Sequence, residues 1–214
     1  MLLNQILEEA KKQFVAKTPE DFHEEIFRMI RQQQQSGIVY GVQEGQQAKD
    51  FTLNNSADIP VNLFEQLSHG PVVLTFYRGG WCPFCNMQLR AYQNILPDIE
   101  ALGGQLIAIS PQSPDHTLSQ QEKEGLGFQV LSDRNGLAAA LYHVLFDVPQ
   151  YIQEAMTNRL SLNLAEYNAA DRWILPIPST FIIDQSGVIR LAYVNPDFMK
   201  RLEPQEILNQ LKGI

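Results

Sequence analysis

The only two cysteines of this 214-residue chain lie three positions apart, in the segment Cys82-Pro83-Phe84-Cys85. An apolar run at residues 72–77 precedes them, and Arg78-Gly79-Gly80 separates that run from Trp81. A short apolar run bounded by glycines is typical of a strand buried on both faces. Proline directly after Cys82 favours the first turn of a helix, because proline lacks the N–H that would be unpaired there. The pattern therefore predicts a strand-turn-helix unit with both thiols at the start of the helix.

Placement at a helix N-terminus favours thiol chemistry. The unpaired N–H groups and the positive end of the helix dipole stabilise a thiolate, which is the nucleophilic form of cysteine. Residues three positions apart lie one turn apart on the same side of a helix, so a disulfide closes with little backbone movement. We predict a redox pair in which Cys82 is the more exposed, attacking thiol. Cys85 is then the inner thiol that resolves the mixed disulfide.

Two other interpretations of the cysteine pair are weaker. Half of a zinc site needs further ligands, but the chain has no third cysteine and its four histidines show no paired spacing. Inert core thiols do not require the glycine-rich approach or the adjacent Trp81, to which we assign the role of shielding the disulfide. The sequence thus predicts redox chemistry with no metal and no other cofactor.

Composition limits the partners of the chain. The net charge of −8 disfavours a nucleic-acid interface, which needs clustered lysine and arginine. No apolar run approaches the roughly 20 residues of a membrane span, and residues 1–9 lack the pattern of a secretory signal. We expect a cytoplasmic protein that contacts neither nucleic acid nor membrane.

Apolar residues at helical spacing predict two helices within residues 1–36, the second starting at Thr18-Pro19 and ending near Gly37. Residues 41–50 are polar and contain glycine, which is typical of a linker. We therefore expect an N-terminal helical extension at residues 1–40. A main domain follows at residues 41–214, with a helical insert near 150–172.

The main domain alternates strands and helices. Its predicted strands are residues 72–77, 106–109, 128–131, 180–183 and 188–193, and its predicted helices are residues 83–102, 113–125, 150–166 and 204–211. The last two strands are joined by a hairpin turn that ends in Gly187. This order predicts an α/β fold with a mixed central sheet flanked by helices.

Two resemblances carry the functional interpretation. Trp81-Cys82-x-x-Cys85 after an apolar strand resembles thioredoxin. The wider frame, over about residues 41–195, resembles the peroxiredoxin (alkyl hydroperoxide reductase/thiol-specific antioxidant) family. Its matching segments are Gly45, Asp50-Phe51-Thr52-Leu53, Val73-Leu74-x-Phe76-Tyr77, Phe181-Ile182-Ile183-Asp184 and Gly187-Val188-Ile189. Both resemblances imply a thioredoxin-like fold and a thiol reductant such as the thioredoxin or glutathione system.

A second thioredoxin-like feature is the segment Ile177-Pro178-Ser179-Thr180. In thioredoxin-like proteins the proline at this place is cis and lies opposite the disulfide. The resemblance therefore implies a cis Pro178, with Pro176 as the competing candidate.

The peroxiredoxin resemblance is incomplete at the reactive positions. The family's peroxidatic cysteine falls on Cys85, but its proline, threonine and arginine fall on Arg78, Cys82 and Pro178. In the family, the threonine and arginine orient and polarise the peroxide. These changes favour thiol-disulfide exchange through Cys82 and Cys85. The expected substrate is a protein disulfide, or a peroxide if the chain acts as a peroxidase.

Two alternatives to disulfide exchange stay open. The first is a thioredoxin-dependent peroxiredoxin with Cys85 peroxidatic and Cys82 resolving, in which Arg78 or Arg172 supplies the missing cation. The second is a non-enzymatic redox-sensing or partner-binding module. In that module the N-terminal helices bind a partner; otherwise we expect them to pack on the main domain or to form a homodimer.

Overall fold

A seven-stranded mixed sheet forms the centre of the computed structural model, which describes residues 2–214. The strands of the chain are β1 (Thr52–Asn55), β2 (Pro60–Asn62), β3 (Val72–Phe76), β4 (Gln105–Ser110), β5 (Gln129–Ser132), β6 (Leu145–Asp147), β7 (Ile174–Pro176), β8 (Ser179–Ile183) and β9 (Ile189–Val194). The central sheet has the order β2-β1-β5-β4-β3-β8-β9, and β6 and β7 form a separate antiparallel pair. The mixed sheet confirms the predicted fold class.

Ten helices lie within the described residues. They are α1 (Leu3–Lys17), α2 (Glu20–Gln35), α3 (Leu63–Leu67), α4 (Pro83–Asn94), α5 (Leu96–Ala101), α6 (Pro114–Glu124), α7 (Leu137–Leu141), α8 (Gln150–Leu160), α9 (Leu164–Asn168) and α10 (Pro204–Leu211). None of the helices in residues 2–214 is both long enough and apolar enough to cross a membrane.

Strand direction follows from the connections. Strands β3, β4 and β5 are parallel, and helices α4, α5 and α6 lie in the crossovers between them. Strands β8 and β9 form the predicted hairpin. Strand β8 pairs antiparallel with β3, and β9 pairs antiparallel with β8 at the edge of the sheet. This arrangement places β3 in the middle of the sheet, with β4 on one side and β8 on the other.

Alternation along β3 divides the interior into two cores. Val72, Leu74 and Phe76 point into one core, while Val73 and Tyr77 point into the other. All five residues of β3 are buried, as the unbroken apolar run predicted. The core that receives Val73 and Tyr77 also contains both cysteines.

Two predicted helices are each divided in the structure. The helix expected at residues 83–102 ends at Asn94, and α5 begins at Leu96. Pro97 explains the break, because its nitrogen cannot donate the hydrogen bond that a continuous helix requires. The helix expected at 150–166 ends at Leu160, where Ser161 adopts a left-handed backbone with φ of +52°.

Helices α1 and α2 complete the core that holds the cysteines. Their buried side chains are Leu3, Leu7, Phe22, Ile26, Met29 and Ile30. Helix α1 packs against α4, and α2 packs against α8. Thr18 does not start the second helix as predicted. It follows the end of α1, where its hydroxyl donates to the Phe14 carbonyl at 2.7 Å, and α2 begins after Pro19.

The packing of α1 makes a stability prediction. Leu7 is fully buried against the core, whereas Ile6 on the same helix is 39% exposed. We expect Leu7→Ala to lower the free energy of unfolding by about 2–5 kcal/mol, because it leaves a cavity. Ile6→Ala should cost about 1 kcal/mol or less. Urea denaturation measures both, and equally small losses would show that α1 is detached in solution.

Candidate active site

Both cysteines lie in the first turn of α4. Cys82 is the N-cap, Pro83 follows as the first helical residue, and the Cys85 N–H donates to the Cys82 carbonyl at 3.1 Å. The exposed fractions of Cys82 and Cys85 are 1% and 0%. Both thiols are therefore buried to nearly the same extent, so exposure does not identify the attacking thiol, and the assignment of that role to Cys82 stays a prediction. The reason for their burial is tertiary, since side chains of α1, α2 and α8 cover the start of α4.

A positively charged side chain, Arg201, lies directly against Cys85. Its Nη2 is 3.5 Å from the Cys85 Sγ. Its Nε donates to Gln88 Oε1 at 2.6 Å, and its Nη1 donates to the carbonyls of Lys200, at 2.8 Å, and Phe198. The guanidinium is thus buried and held from three directions.

Arg78 occupies the other side of the cysteine pair. It is buried, with its guanidinium 3.9 Å from the Phe198 ring centroid and 4.9 Å from that of Trp81. In residues 2–214, neither Arg78 nor Arg201 has a carboxylate oxygen within 4.0 Å. Two buried guanidinium groups without an acidic partner favour an anion between them, and Cys85 is the group placed to supply it.

These contacts give the two thiols different pKa values. Burial alone would raise the pKa of Cys85, but a hydrogen bond with Cys82 and the charges of Arg201 and Arg78 outweigh it, lowering the pKa to about 5. Burial raises the pKa of Cys82 well above its ordinary value, and the neighbouring Cys85 raises it further. At neutral pH, Cys85 is therefore the thiolate and Cys82 the thiol that hydrogen-bonds to it.

A buried amide network supports the turn before the cysteines. The Gly80 N–H donates to Gln112 Oε1 at 2.9 Å, and Asn86 Nδ2 donates to the Gly80 carbonyl at 2.8 Å. Gln120 joins the network by donating to Asn86 Oδ1 at 2.7 Å and accepting from the Tyr77 hydroxyl at 2.8 Å. These bonds fix the path of the chain from β3 to α4.

Gly79 gives that turn its shape. It adopts a φ of +141°, and a Cβ atom on it would lie 2.5 Å from Trp81 Nε1. Only glycine combines this backbone conformation with the close approach of the indole. The glycine pair noticed in the sequence thus places Trp81 over Arg78.

Two sequence expectations fail at the site. All peptide bonds among the described residues are trans, so the predicted cis Pro178, and its competitor Pro176, are both wrong. The chain runs extended from β7 to β8, with the Ile177 N–H donating to the Val144 carbonyl at 2.7 Å, a path that trans peptides follow. Arg172, a candidate cation, instead pairs with Asp147 at 2.7 Å on the surface.

Sequence reasoning also missed Arg201 and Gln88. Arg201 is 116 positions from Cys85 and lies in an irregular segment, so no local spacing connects the two. Gln88 could have been found. It follows Cys85 by three positions, which places both on one face of α4, and a fully buried glutamine on that face must have a partner.

A cavity of about 250 Å³ reaches Cys82, and Cys85 is not part of its lining. Its reactive end contains Arg78, Trp81 and Cys82. Its walls are almost entirely apolar and come from α1, α2, α4, α8 and the segment before α10: Phe14, Phe22, Ile26, Pro83, Phe84, Met156, Leu160 and Phe198, together with Thr18. The arrangement suits a small molecule with an apolar part that enters beside Cys82 and the Arg78 guanidinium.

No part of residues 2–214 brings together three or more histidine, cysteine or acidic side chains in a way that could hold a metal ion. The groups that the site brings together are two sulfur atoms and two guanidinium groups. That combination carries out two-electron thiol redox chemistry, in which a thiolate attacks and a neighbouring thiol closes a disulfide.

Comparison with known proteins agrees with this chemistry. The model of the AhpC/TSA family matches residues 44–192. A putative peroxiredoxin bcp of Helicobacter pylori is 26% identical over 151 residues, which cover 71% of this chain and 87% of that protein. The chloroplastic peroxiredoxin Q of Sedum lineare is 24% identical over 179 residues, covering 84% and 83%.

Solved structures show the same fold. Peroxidoxin BcpB from Mycobacterium tuberculosis superimposes with a TM-score of 0.63 at 20% identity, covering 82% of this chain and 99% of that one. Xanthomonas campestris peroxiredoxin Q gives 0.59 at 17% identity, covering 76% and 90%. The resemblance found in the sequence is thereby confirmed, and the chain belongs to the AhpC/TSA family as a thiol-dependent antioxidant oxidoreductase with a thioredoxin-like fold.

Proposed function

We propose that the chain is a thiol-dependent peroxidase in which Cys85 attacks the peroxide and Cys82 resolves the product. The observation that carries this proposal is the Arg201 guanidinium 3.5 Å from the Cys85 Sγ. It supplies the cation that the family's arginine position, here Pro178, lacks. This choice is the first of the two alternatives left open by the sequence.

In the first step, the Cys85 thiolate attacks the terminal oxygen of a hydroperoxide. A sulfur–oxygen bond forms as the oxygen–oxygen bond breaks, and the electron pair leaves on the alkoxide, which takes a proton to become an alcohol. Arg201 and Arg78 are placed to stabilise the negative charge as it moves from sulfur to oxygen. Cys85 becomes a sulfenic acid and the peroxide is reduced by two electrons.

In the second step, Cys82 attacks the Cys85 sulfur. The sulfur–oxygen bond breaks, and hydroxide leaves with the Cys82 proton as water, which forms the Cys82–Cys85 disulfide. Both sulfurs lie in one helical turn, so closure requires no large unfolding of α4. An external dithiol, or two molecules of a monothiol such as glutathione, then restores both thiols. A thioredoxin or glutathione system in the cytoplasm, our proposed location, provides this reductant.

Burial of the sulfurs favours a small oxidant over a protein disulfide. A protein disulfide must touch the attacking sulfur to form a mixed disulfide, and here both sulfurs are at most 1% exposed. Disulfide exchange remains the second candidate because Trp81-Cys82-x-x-Cys85 carries the thioredoxin-like pattern. It requires the cover formed by α1, α2 and α8 to open.

Replacing each cysteine separates these functions. We expect Cys85→Ser to abolish peroxide consumption. Cys82→Ser should consume one equivalent of peroxide per chain and then stop, because the serine hydroxyl still hydrogen-bonds to the thiolate but cannot form a disulfide. Peroxide loss and trapping of sulfenic acid by dimedone, followed by mass spectrometry, measure both outcomes.

The same two variants test the competing functions. If Cys82→Ser abolishes insulin-disulfide reduction while no protein form consumes peroxide, disulfide exchange replaces peroxidase as the function. If the unaltered protein is oxidised once and never turns over with a thiol reductant, the chain is a redox sensor.

The acidity of Cys85 predicts the pH dependence. Only the thiolate attacks, and the pKa of Cys85 is about 5, so the second-order rate constant with peroxide should be level near neutral pH and fall as the pH drops through about 5. Arg201→Gln removes a positive charge, so it should move this fall to higher pH and lower the neutral rate about 100-fold. Stopped-flow kinetics measures the profile.

Arg172→Gln is the matched control, since it removes the same charge from a surface arginine that pairs only with Asp147. It should leave the rate and the pH profile unchanged. Equal profiles for Arg201→Gln and Arg172→Gln would remove Arg201 from the mechanism.

From the apolar cavity we predict a preference for hydroperoxides with an apolar group. Leu160 lines the cavity and is 49% exposed, so Leu160→Asn changes the wall without opening the core. We expect kcat/KM for cumene hydroperoxide to fall about fivefold, equivalent to roughly 40 Å² of lost apolar contact, while kcat/KM for hydrogen peroxide stays constant. Leu137→Asn, at a 54% exposed position outside the cavity lining, is the control. Equal losses for both peroxides would assign no specificity to the wall.

A further inference from the structure

Arg201 lies in a segment that has no regular structure of its own. Residues 195–203, between β9 and α10, form neither helix nor strand. Such a segment has no ladder of backbone hydrogen bonds to fix it, yet it must hold a guanidinium against the Cys85 sulfur. Its backbone therefore depends on contacts from other elements.

The closest of these contacts comes from the first turn of α1. Asn4 Nδ2 donates to the Arg201 carbonyl at 2.7 Å, and the Arg201 N–H donates to Asn4 Oδ1 at 3.0 Å. One side-chain amide thus pairs with both backbone groups of Arg201, as a residue on a neighbouring strand would. The pairing joins positions 197 apart in the sequence.

Glu203 secures the same junction from the opposite side. Its carboxylate accepts hydrogen bonds from the backbone N–H groups of Leu3 and Asn4, each at 2.8 Å, and from Asn4 Nδ2 at 2.8 Å. A carboxylate at a helix N-terminus pairs with N–H groups that lack partners within the helix. The start of α1 and the Arg201 segment therefore fix each other.

On its other side, Arg201 is held by α4. Gln88 accepts from Arg201 Nε at 2.6 Å and is itself oriented by its bond to Thr75 Oγ1 at 3.1 Å. The Tyr92 hydroxyl donates to the Leu202 carbonyl at 3.1 Å. Helix α4 thus holds the guanidinium and the next residue, whereas Asn4 holds the backbone of Arg201 itself.

The family match does not include this arrangement. It covers residues 44–192, whereas Asn4, Arg201 and Glu203 all lie outside it. Within the match, the position that carries the family's arginine is Pro178. This chain therefore brings its cation to the site from a different segment, and an additional helix anchors that segment.

We propose that Asn4 is a positioning residue that acts on Cys85 through Arg201. Helix α1, which carries Asn4, then contributes to the redox site by holding Arg201 in place. The step from Asn4 to sulfur passes through one residue: the amide fixes the Arg201 backbone, and the guanidinium contacts the sulfur. The charged or titratable groups that face Cys85 are Cys82, Arg78, Arg201 and Tyr77, and Asn4 acts on only one of them. The proposal rests on the proposed function only for its kinetic measurement.

The experiment is a double-mutant cycle. Asn4→Ala is made alone and in combination with Arg201→Gln, and Gln13→Ala, at an exposed position of α1, is the control that also removes a neutral amide. We measure thiolate ultraviolet absorbance against pH and the rate constant for peroxide at neutral pH. Asn4→Ala should move the titration of Cys85 to higher pH by about one unit and slow the peroxide reaction about tenfold. Gln13→Ala should change neither.

The combination decides how Asn4 acts. If it acts through Arg201, adding Asn4→Ala to Arg201→Gln changes neither the titration nor the rate further. The proposal is overturned if Asn4→Ala lowers only the stability and leaves both measurements unchanged. It is also overturned if the effects of the two substitutions add, since Asn4 would then act independently of Arg201.

The experiment also covers an unstable Asn4 variant and a protein that does not reduce peroxide. Should Asn4→Ala fail to fold, Asn4→Ser replaces it, since its neutral hydroxyl adds no charge beside Glu203 but is too short to bond both backbone groups of Arg201. Should the unaltered protein not reduce peroxide, the proposed function fails, while the thiolate titration still shows whether Asn4 controls Cys85.

Discussion

A buried thiolate beside two buried guanidinium groups is the interaction on which the site depends. Removing Cys85 from water raises its pKa. The Cys82 hydrogen bond, the charges of Arg201 and Arg78 and a hydrogen bond to the Arg78 backbone reverse that effect. The two cations also need the anion, because within residues 2–214 neither has a carboxylate partner. The thiolate and the two guanidinium groups therefore stabilise one another in the buried site. Each of the three must be held in position by a helix, a strand or a hydrogen bond.

The fold supplies those placements from separate parts of the chain. Strand β3 and helix α4 bring Arg78 and both cysteines together, since strand, turn and helix are contiguous. Arg201 comes from the segment before α10, and it is fixed by Gln88 on one side and Asn4 on the other. Helices α1, α2 and α8 then cover the thiols and leave an apolar cavity as the approach. The redox pair is thereby enclosed, with both cysteines at most 1% exposed.

Local patterns predicted the features that local physics controls. The apolar run at residues 72–77 is a buried central strand because its alternate side chains enter two different cores. Pro83 begins α4 because the first turn tolerates a missing N–H. The hairpin ending in Gly187 forms because glycine adopts the required φ of +82° at no steric cost. The expectations for one long helix failed at Pro97, where a single missing donor interrupts the helix.

By itself, the sequence determined that two thiols share one helical turn at the end of a central strand, and hence that the chemistry is thiol redox. Tertiary structure alone decided which thiol is ionised. That assignment depends on the burial of both cysteines, which are at most 1% exposed. It also depends on Arg201, which contacts Cys85 although the two are 116 positions apart in the sequence. Electrostatic energy depends on distance in space rather than along the chain, so no local motif could indicate that the inner cysteine carries the charge.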